Sequence, residues 1–465
     1  MADKNEEKKT KAKDKPHTGL AESWFRPVRE NLTQLAHSIL HPAGDRPAGA
    51  FDAESCAKLV LQDAIQTNAS DVHLEPVSKG VLIRVRVDGL LHDATLLSHE
   101  QGDRLIRYYK SLAQLDPVAS FKPQDARTRY ELDGHRLDLR LACVPCQGGE
   151  KLVLRVLDAD RVEHRIGDLG LTKEDQEHFK DWLKDISGMC LVAGPTGSGK
   201  TTTLYALLQE LKVHTKSIVT IEDPVEYSID GITQIQVSEE HGLTFLEGIK
   251  AMLRLDPDYL LVGEIRDYAS ARAAVEASSS GRVLLSTLHS RDTAGVITSL
   301  RNWQVEDFEI ATNLELVVAQ RLVRRLCGNC RGEAAPTADE RRWLETLGRP
   351  VLRRVWRARG CGECHDTGYR GRTGVFEIWR KSNKDHDLIL SGAEEAALRG
   401  HMRKLGRNSL LDDGLLKVES GKTSLEEVRA MSSQTTLVTS NLLPPLKAGR
   451  SARSPAGKGK RRNSR

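Results

Sequence analysis

Gly194–Pro195–Thr196–Gly197–Ser198–Gly199–Lys200–Thr201 is the stretch that decides the fold. It has the form G-x-x-x-x-G-K-[ST], and its flanks are what that form needs to act. Met189 to Ala193 is an apolar run that reads as a buried strand. From Thr202 to Leu211, residues Leu204, Leu207, Leu208 and Leu211 fall at i, i+3, i+4 and i+7, the spacing of an amphipathic helix. Glycines let backbone N–H groups wrap phosphate oxygens at the positive end of that helix. The reading makes residues 194 to 201, with Thr202, the nucleotide-binding set. Lys200 reaches the β- and γ-phosphates, and the Thr201 hydroxyl is a magnesium ligand. A chance Gly-rich turn would not need both flanks.

Working outward, Ser217 to Ile221, Tyr259 to Gly263 and Val283 to Leu288 are further short apolar runs alternating with helical patterns. That alternation predicts an α/β fold with a parallel sheet. Binding a nucleotide is not hydrolysing it, which calls for a carboxylate to orient or deprotonate water. Glu264 ends one strand, and Glu222 with Asp223 ends another. His289 ends a third, in Ser286–Thr287–Leu288–His289, where it is placed to sense a γ-phosphate.

The rest of the chain divides around this core. Residues 1–50 read as a poorly ordered or partly helical extension, with a Pro- and Gly-containing linker near 41–49. Residues 51–156 predict an α+β domain. In Val81 to Asp88 the odd positions are β-branched while Arg84, Arg86 and Asp88 take the even ones, and Arg136 to Leu141 repeats the pattern. Residues 157–170 read as a connector and 171–326 as the nucleotide-binding domain. Residues 327–379 are a cysteine-containing region. Residues 380–432 are helical, ending in a capping box of Thr423 and Glu426. Residues 433–465 read as a disordered basic tail.

Composition sets limits. The 465 residues are 39% hydrophobic and 29% charged, enough apolar material for buried cores. The net charge is +4, but Lys447 to Arg465 alone carries eight Lys or Arg and no acid, so the remainder is mildly acidic at −4. The body therefore lacks the basic surface of a nucleic-acid binder. No apolar run approaches the ~18–20 residues of a spanning helix, and the charged N-terminus lacks the apolar core of a signal peptide. The expected setting is cytoplasmic, with peripheral membrane contact at most.

Six of the eight cysteines lie in Cys-x-x-Cys pairs. Cys327–Gly328–Asn329–Cys330 and Cys361–Gly362–Glu363–Cys364 stand 30 residues apart, as two knuckles suited to a structural tetrahedral zinc. Cys143–Val144–Pro145–Cys146 falls between expected strands with no second pair, and reads as turn or core thiols. Cys56 and Cys190 read as core.

Together these segments resemble the bacterial type II secretion and type IV pilus assembly ATPases of the secretion ATPase superfamily. The resemblance spans about Phe51 to Ser432. It rests on the Walker A loop, the "Asp box" Ile221 to Tyr227, the Walker B segment Leu255 to Asp267 and the His box Ser286 to His289. Ala69 to Pro76 with Val87–Asp88–Gly89 adds the N-terminal signature. The extended motif Gly360 to Gly374 resembles the tetracysteine region of the assembly and secretion members, which retraction members generally lack.

The resemblance implies a PAS-like N-domain, a RecA-like ATPase domain and a homo-hexameric ring. It makes Glu264 the water-polarising glutamate, Glu222 a holder of the magnesium hydration shell and His289 nucleotide-responsive. It calls for arginines acting in trans from a neighbour's N-domain, with Arg84, Arg86, Arg127 and Arg140 as candidates. It implies ATP, Mg2+ and structural Zn2+ as cofactors and an inner-membrane platform protein as partner, with no direct nucleic acid. Where the family writes Thr-Gly-His, this chain has Ser280–Gly281–Arg282, so Arg282 is a possible substitute phosphate contact. Gln124–Asp125–Ala126–Arg127 replaces the family's Gln-Asp-Gly-Arg. The usual full-size extra N-terminal domain is not matched. The alternative function is a DNA-uptake or conjugation motor acting directly on DNA. A non-catalytic ring is opposed by the intact Lys200 and Glu264.

Overall fold

The structure is a computed structural model that describes residues 51–158, 165–183, 188–211 and 215–434. The expected extension, linker and basic tail lie outside these residues, as does part of the connector.

Six strands form the first sheet: β1 (Ala69–Val77), β2 (Gly80–Val87), β3 (Leu90–Leu97), β4 (Gln124–Leu132), β5 (His135–Cys146) and β6 (Gly149–Asp158). Their order is β3-β2-β1-β6-β5-β4, and every pairing is antiparallel. Alternation decides the two faces. Val72, Leu74, Val81, Ile83, Val85, Leu139 and Leu154 are buried in one core with the helices Ala53–Thr67 and His99–Leu112. The other face carries ion pairs: Asp71 with Arg155 at 3.2 Å, Glu75 with Lys151 at 2.7 Å, Arg84 with Asp93 at 2.9 Å.

The second sheet has seven strands. They are β7 (Gly188–Ala193), β8 (Ile218–Glu222), β9 (Thr233–Gln236), β10 (Tyr259–Val262), β11 (Val283–Leu288), β12 (Leu314–Leu326) and, after a short pair β13 (Gly332–Ala334) and β14 (Val355–Arg357), β15 (Tyr369–Arg380). The order is β15-β12-β7-β11-β10-β8-β9. All neighbours are parallel except the β12–β15 pair. Helices cover both faces, which is why β7, β10 and most of β11 are apolar runs, while β12 and β15 carry buried polar side chains such as Arg321 and Glu377. Leu191, Val219, Leu260 and Leu284 face one core, and Cys190, Val192, Leu261 and Leu285 face the other.

Three readings are corrected. The sheet does not stop at residue 326: β15 comes from the cysteine-containing region and pairs with β12 along its length. Cys143 to Cys146 is the end of β5 and not an interstrand turn; Cys143 is buried and Cys146 exposed. The last cap is displaced by one residue. Ser424 Oγ accepts from the Glu427 N–H at 3.4 Å, while Thr423 Oγ1 donates to the Arg324 carbonyl and Glu426 pairs with Arg357. Among the described residues no helix is long and apolar enough to cross a membrane.

Candidate active site

The carboxyl ends of β7, β8, β10 and β11 lie side by side, the edge of a parallel sheet where ligands bind. Gly194 to Gly199 joins β7 to the helix Lys200–Leu211. Two glycines are required by close approach. A Cβ on Gly194 would stand 2.6 Å from the Gln320 carbonyl oxygen. One on Gly199, at φ +87°, would stand 2.9 Å from Gln320 Nε2.

Lys200 Nζ donates to the carbonyl oxygens of Gly194 (2.8 Å) and Pro195 (3.3 Å). Burial pulls its pKa down, with Glu264 working against that and Arg321 adding to it. The His289 ring uses the same acceptor: Nδ1 lies 3.1 Å from Gly194 O. A carbonyl only accepts, so Nδ1 is assigned the proton. Nε2 lies 2.7 Å from Glu264 Oε1, a contact that becomes an ion pair when Nε2 carries a proton as well. The other Glu264 oxygen accepts from Arg266 Nε at 2.7 Å, and Arg266 reaches Asp223 at 3.7 Å. Residues from the ends of β7, β10 and β11 are thus joined in one network.

Glu222 is buried beside it. Thr220 Oγ1 donates to it at 2.6 Å and Gln234 Nε2 at 3.3 Å, and Tyr205 O–H also donates to it. Burial raises its pKa and the three donors oppose the rise. Tyr205 stands four residues after Thr201 on the phosphate-loop helix, so it shares Thr201's face. That spacing was the available signal for a residue the sequence reading passed over.

The four arginines separate into two pairs. Arg127 makes a bidentate pair with Asp138 (2.7 Å), and its Nη1 reaches the Val225 carbonyl at 3.3 Å. Arg140 Nη2 donates to Glu226 at 2.9 Å. Both therefore touch the loop that follows Glu222 in their own chain. Arg84 and Arg86 do not. Arg84 pairs with Asp93 and Glu75, and Arg86 lies 3.6 Å from Asp71. Arg282 is also remote. It precedes β11, whose other end carries His289, and its Nε donates to Pro257 O at 3.1 Å. At ~3.3 Å per residue the strand separates the two by about 20 Å, so Arg282 does not stand in for a phosphate-contacting histidine in its own subunit.

The four knuckle sulfurs lie within 4.8 Å of one another. Cys327–Cys361 is 3.9 Å, and Cys330–Cys364 and Cys361–Cys364 are each 3.7 Å. Tetrahedral zinc at ~2.3 Å from sulfur sets neighbouring sulfurs about 3.8 Å apart, so the set fits that ion. Backbone N–H groups of Cys361 and Gly368 donate to Cys364 Sγ at 3.3 and 3.2 Å. Asn329 Nδ2 donates to Cys361 Sγ at 3.5 Å and holds that thiol low, at about 6.

A family model described as "Type II/IV secretion system protein" matches residues 50–430. The chain belongs to this family. It is an ATPase of the type II secretion and type IV pilus assembly group, with a P-loop α/β fold. The chain is 41% identical over 375 residues to the "Type II secretion system ATPase E" of Vibrio cholerae serotype O1, covering 81% of this chain and 74% of that one. It is 37% identical over 404 residues to the "Type IV pilus assembly ATPase PilB" of Myxococcus xanthus, covering 86% and 69%. Among solved structures, the Legionella pneumophila ATPase DotB superposes with a TM-score of 0.61 at 21% identity, covering 85% of this chain and 98% of that one. The pilus retraction motor PilT with bound ADP gives 0.55 at 21%, covering 80% and 96%. At that identity the two structures speak for the fold alone. None of these names describes a motor acting on DNA.

Proposed function

We propose that this ATPase is an assembly or export motor. As a homo-hexameric ring on the cytoplasmic face of the inner membrane, it acts on a platform protein to drive pilin or pseudopilin subunits into a filament. The names of the relatives in both type II secretion and pilus assembly support this, as does a cysteine set that suits the export and assembly branch. Bound MgATP supplies the phosphoanhydride that is cleaved. Backbone N–H groups from Thr196 to Lys200 and the Lys200 ammonium would bind its phosphates, and Thr201 with Glu222 would hold the metal's shell. Glu264 orients the attacking water and takes its proton. His289 holds Glu264 and couples it to the phosphate loop. Arg127 and Arg140 sit where they can set the loop after Glu222 in their own chain.

The observation that carries the reading is the bridge Gly194–His289–Glu264, at 3.1 and 2.7 Å. Glu264→Gln keeps the shape of the side chain and removes the base. Turnover is expected to fall by about 100-fold or more with ATP binding kept. A variant with wild-type turnover would falsify the assignment.

A further inference from the structure

The segment that follows His289 is held at three consecutive residues by side chains from β12, β15 and a C-terminal helix. Arg321 Nη2 donates to the Arg291 carbonyl at 2.9 Å. Arg399 pairs with the Asp292 carboxylate at 2.7 Å. Glu377 Oε1 accepts from Thr293 N at 3.0 Å and from Thr293 Oγ1 at 2.6 Å. Arg321 and Glu377 are buried, on neighbouring antiparallel strands, with Arg321 opposite Val375 and Ala319 opposite Glu377. Directly opposed residues share a face, so both side chains point to the same side of the sheet.

The remaining contacts tie this grip in two directions. Arg321 Nη1 donates to the Gln320 carbonyl at 2.9 Å. Gln320 itself points to the opposite face, where its Oε1 accepts from Thr203 Oγ1 at 2.7 Å, one turn into the phosphate-loop helix. On the other side, Glu377 Oε2 accepts from Leu410 N at 3.3 Å, at the start of the helix Leu410–Glu419. Arg399 lies on the helix Glu395–Lys404 and also pairs with Glu395, which accepts from Thr298 Oγ1 at 2.7 Å. Polar side chains are expensive to bury and are kept where each is matched to a partner. Here the partners are residues 291–293, the Gln320 carbonyl and the Leu410 N–H.

We infer that Arg321, with Arg399 and Glu377, is a positioning residue for His289. By fixing residues 291–293 it sets the ring between Gly194 and Glu264, and it links the C-terminal helices to the water-orienting carboxylate. No atom of Arg321 takes part in the chemistry. A shift of the helices 395–404 and 410–419 moves the loop and, with it, the distance between His289 and Glu264. The inference rests on the proposed role of His289.

The test is a double-mutant cycle on ATP turnover in the full chain, comparing Arg321→Met, His289→Ala and the pair. Arg321→Met keeps most of the volume and removes both donors. It is expected to lower kcat by about ten-fold while KM for ATP changes less than about two-fold. In the His289→Ala background it is expected to have no further effect, because its target is already gone. Equal losses in both backgrounds, or a loss confined to KM, would overturn the positioning role. Thermal unfolding checks the fold. Should Arg321→Met not fold, Arg399→Gln, on a helix with its side chain partly exposed, runs the same cycle with the same two outcomes. Full turnover in His289→Ala alone would instead sink the reading of the site itself, and the grip with it.

Discussion

Two donors, the Lys200 ammonium and the His289 ring, converge on the single carbonyl oxygen of Gly194. Lys200 also reaches Pro195, so the phosphate loop is closed on its own lysine, and His289 carries that closure to Glu264 at the end of another strand. Lys200 was readable from the phosphate-loop pattern, and Glu264 and His289 from their places at strand ends. Their common acceptor was not, because a main-chain oxygen leaves no mark in the sequence. Asp63 shows a different kind of residue-level effect. It is buried on the helix Ala53–Thr67, and its Oδ1 has no hydrogen-bond partner among the described residues. Burial pushes its carboxyl up from 3.8 to about 7. A raised folded-state pKa means the native state holds the proton more tightly than the unfolded chain. The cost of the buried charge is therefore absent below about pH 4, grows as the pH rises, and is complete above about pH 7. Asp63→Asn is expected to stabilise the chain at pH 8 by on the order of 1–3 kcal/mol and to do little at pH 4.5. Thermal unfolding at the two pH values measures this; an equal gain at both would show that the charge is not the cause.

At the scale of elements, strands β7, β8, β10 and β11 were legible to within a residue or two. Helices cover both faces, so the apolar runs are unbroken and end where the polar site begins. Strand β5 was harder. Pro145 has no N–H for a ladder, yet it occupies a strand end, next to the turn into β6, where that costs little. The cap at Ser424 was misplaced by one because Thr423, an equally good capping residue, spends its hydroxyl on the Arg324 carbonyl. The cysteine knuckles were legible by spacing, whereas Asn329 between two of them was passed over. Its donation to Cys361 Sγ stabilises the thiolate a metal needs. Asn329→Ala is expected to weaken zinc binding by about ten-fold or more, read by competition with a chelator. Cys361→Ser is expected to release the ion and to speed hydrogen exchange across β13 and β14, which the knuckles bracket. Unchanged zinc affinity in the first variant would show that the amide is a bystander.

Across the whole molecule, the hydrogen bonds from the N-terminal sheet to the ATPase sheet include, among the described residues, two separate groups. Arg127 and Arg140 reach Val225 and Glu226 near the nucleotide site, and Asp88 accepts from the Gly371 N–H at 2.8 Å beside the cysteine knuckles. Between the two sheets runs a cleft of about 1130 Å³ whose lining includes Ser70, Asp158, Thr202, Gln320 and Lys422. Arg140→Ala is expected to quicken hydrogen exchange at residues 223–227, and Asp88→Ala at 369–372, each without moving the other, since sites this far apart act independently. Coupled responses would mean that the two contacts open as one. These long-range contacts were the least legible part of the chain. The even positions from Val81 to Asp88 read as one charged face, yet Arg84 and Arg86 pair within their own sheet, while Asp88 lies past the end of β2 in the turn to β3 and reaches the other sheet.

Gln320 and Arg321 serve opposite sides of the sheet only because they are adjacent on β12, and the same strand leads directly into Cys327. Parity is therefore part of its content. Deleting one residue upstream of Gln320 within the strand would put the Arg321 guanidinium under Thr203, and inserting one would put the Gln320 amide against Arg291. A change between Arg321 and Cys327 would turn the first knuckle away from Cys361. Point substitutions in β12 can be compensated one at a time, but a change of length cannot. Variation in length should instead collect in the turns between the knuckles, outside β13, the helix Ala338–Thr346 and β14.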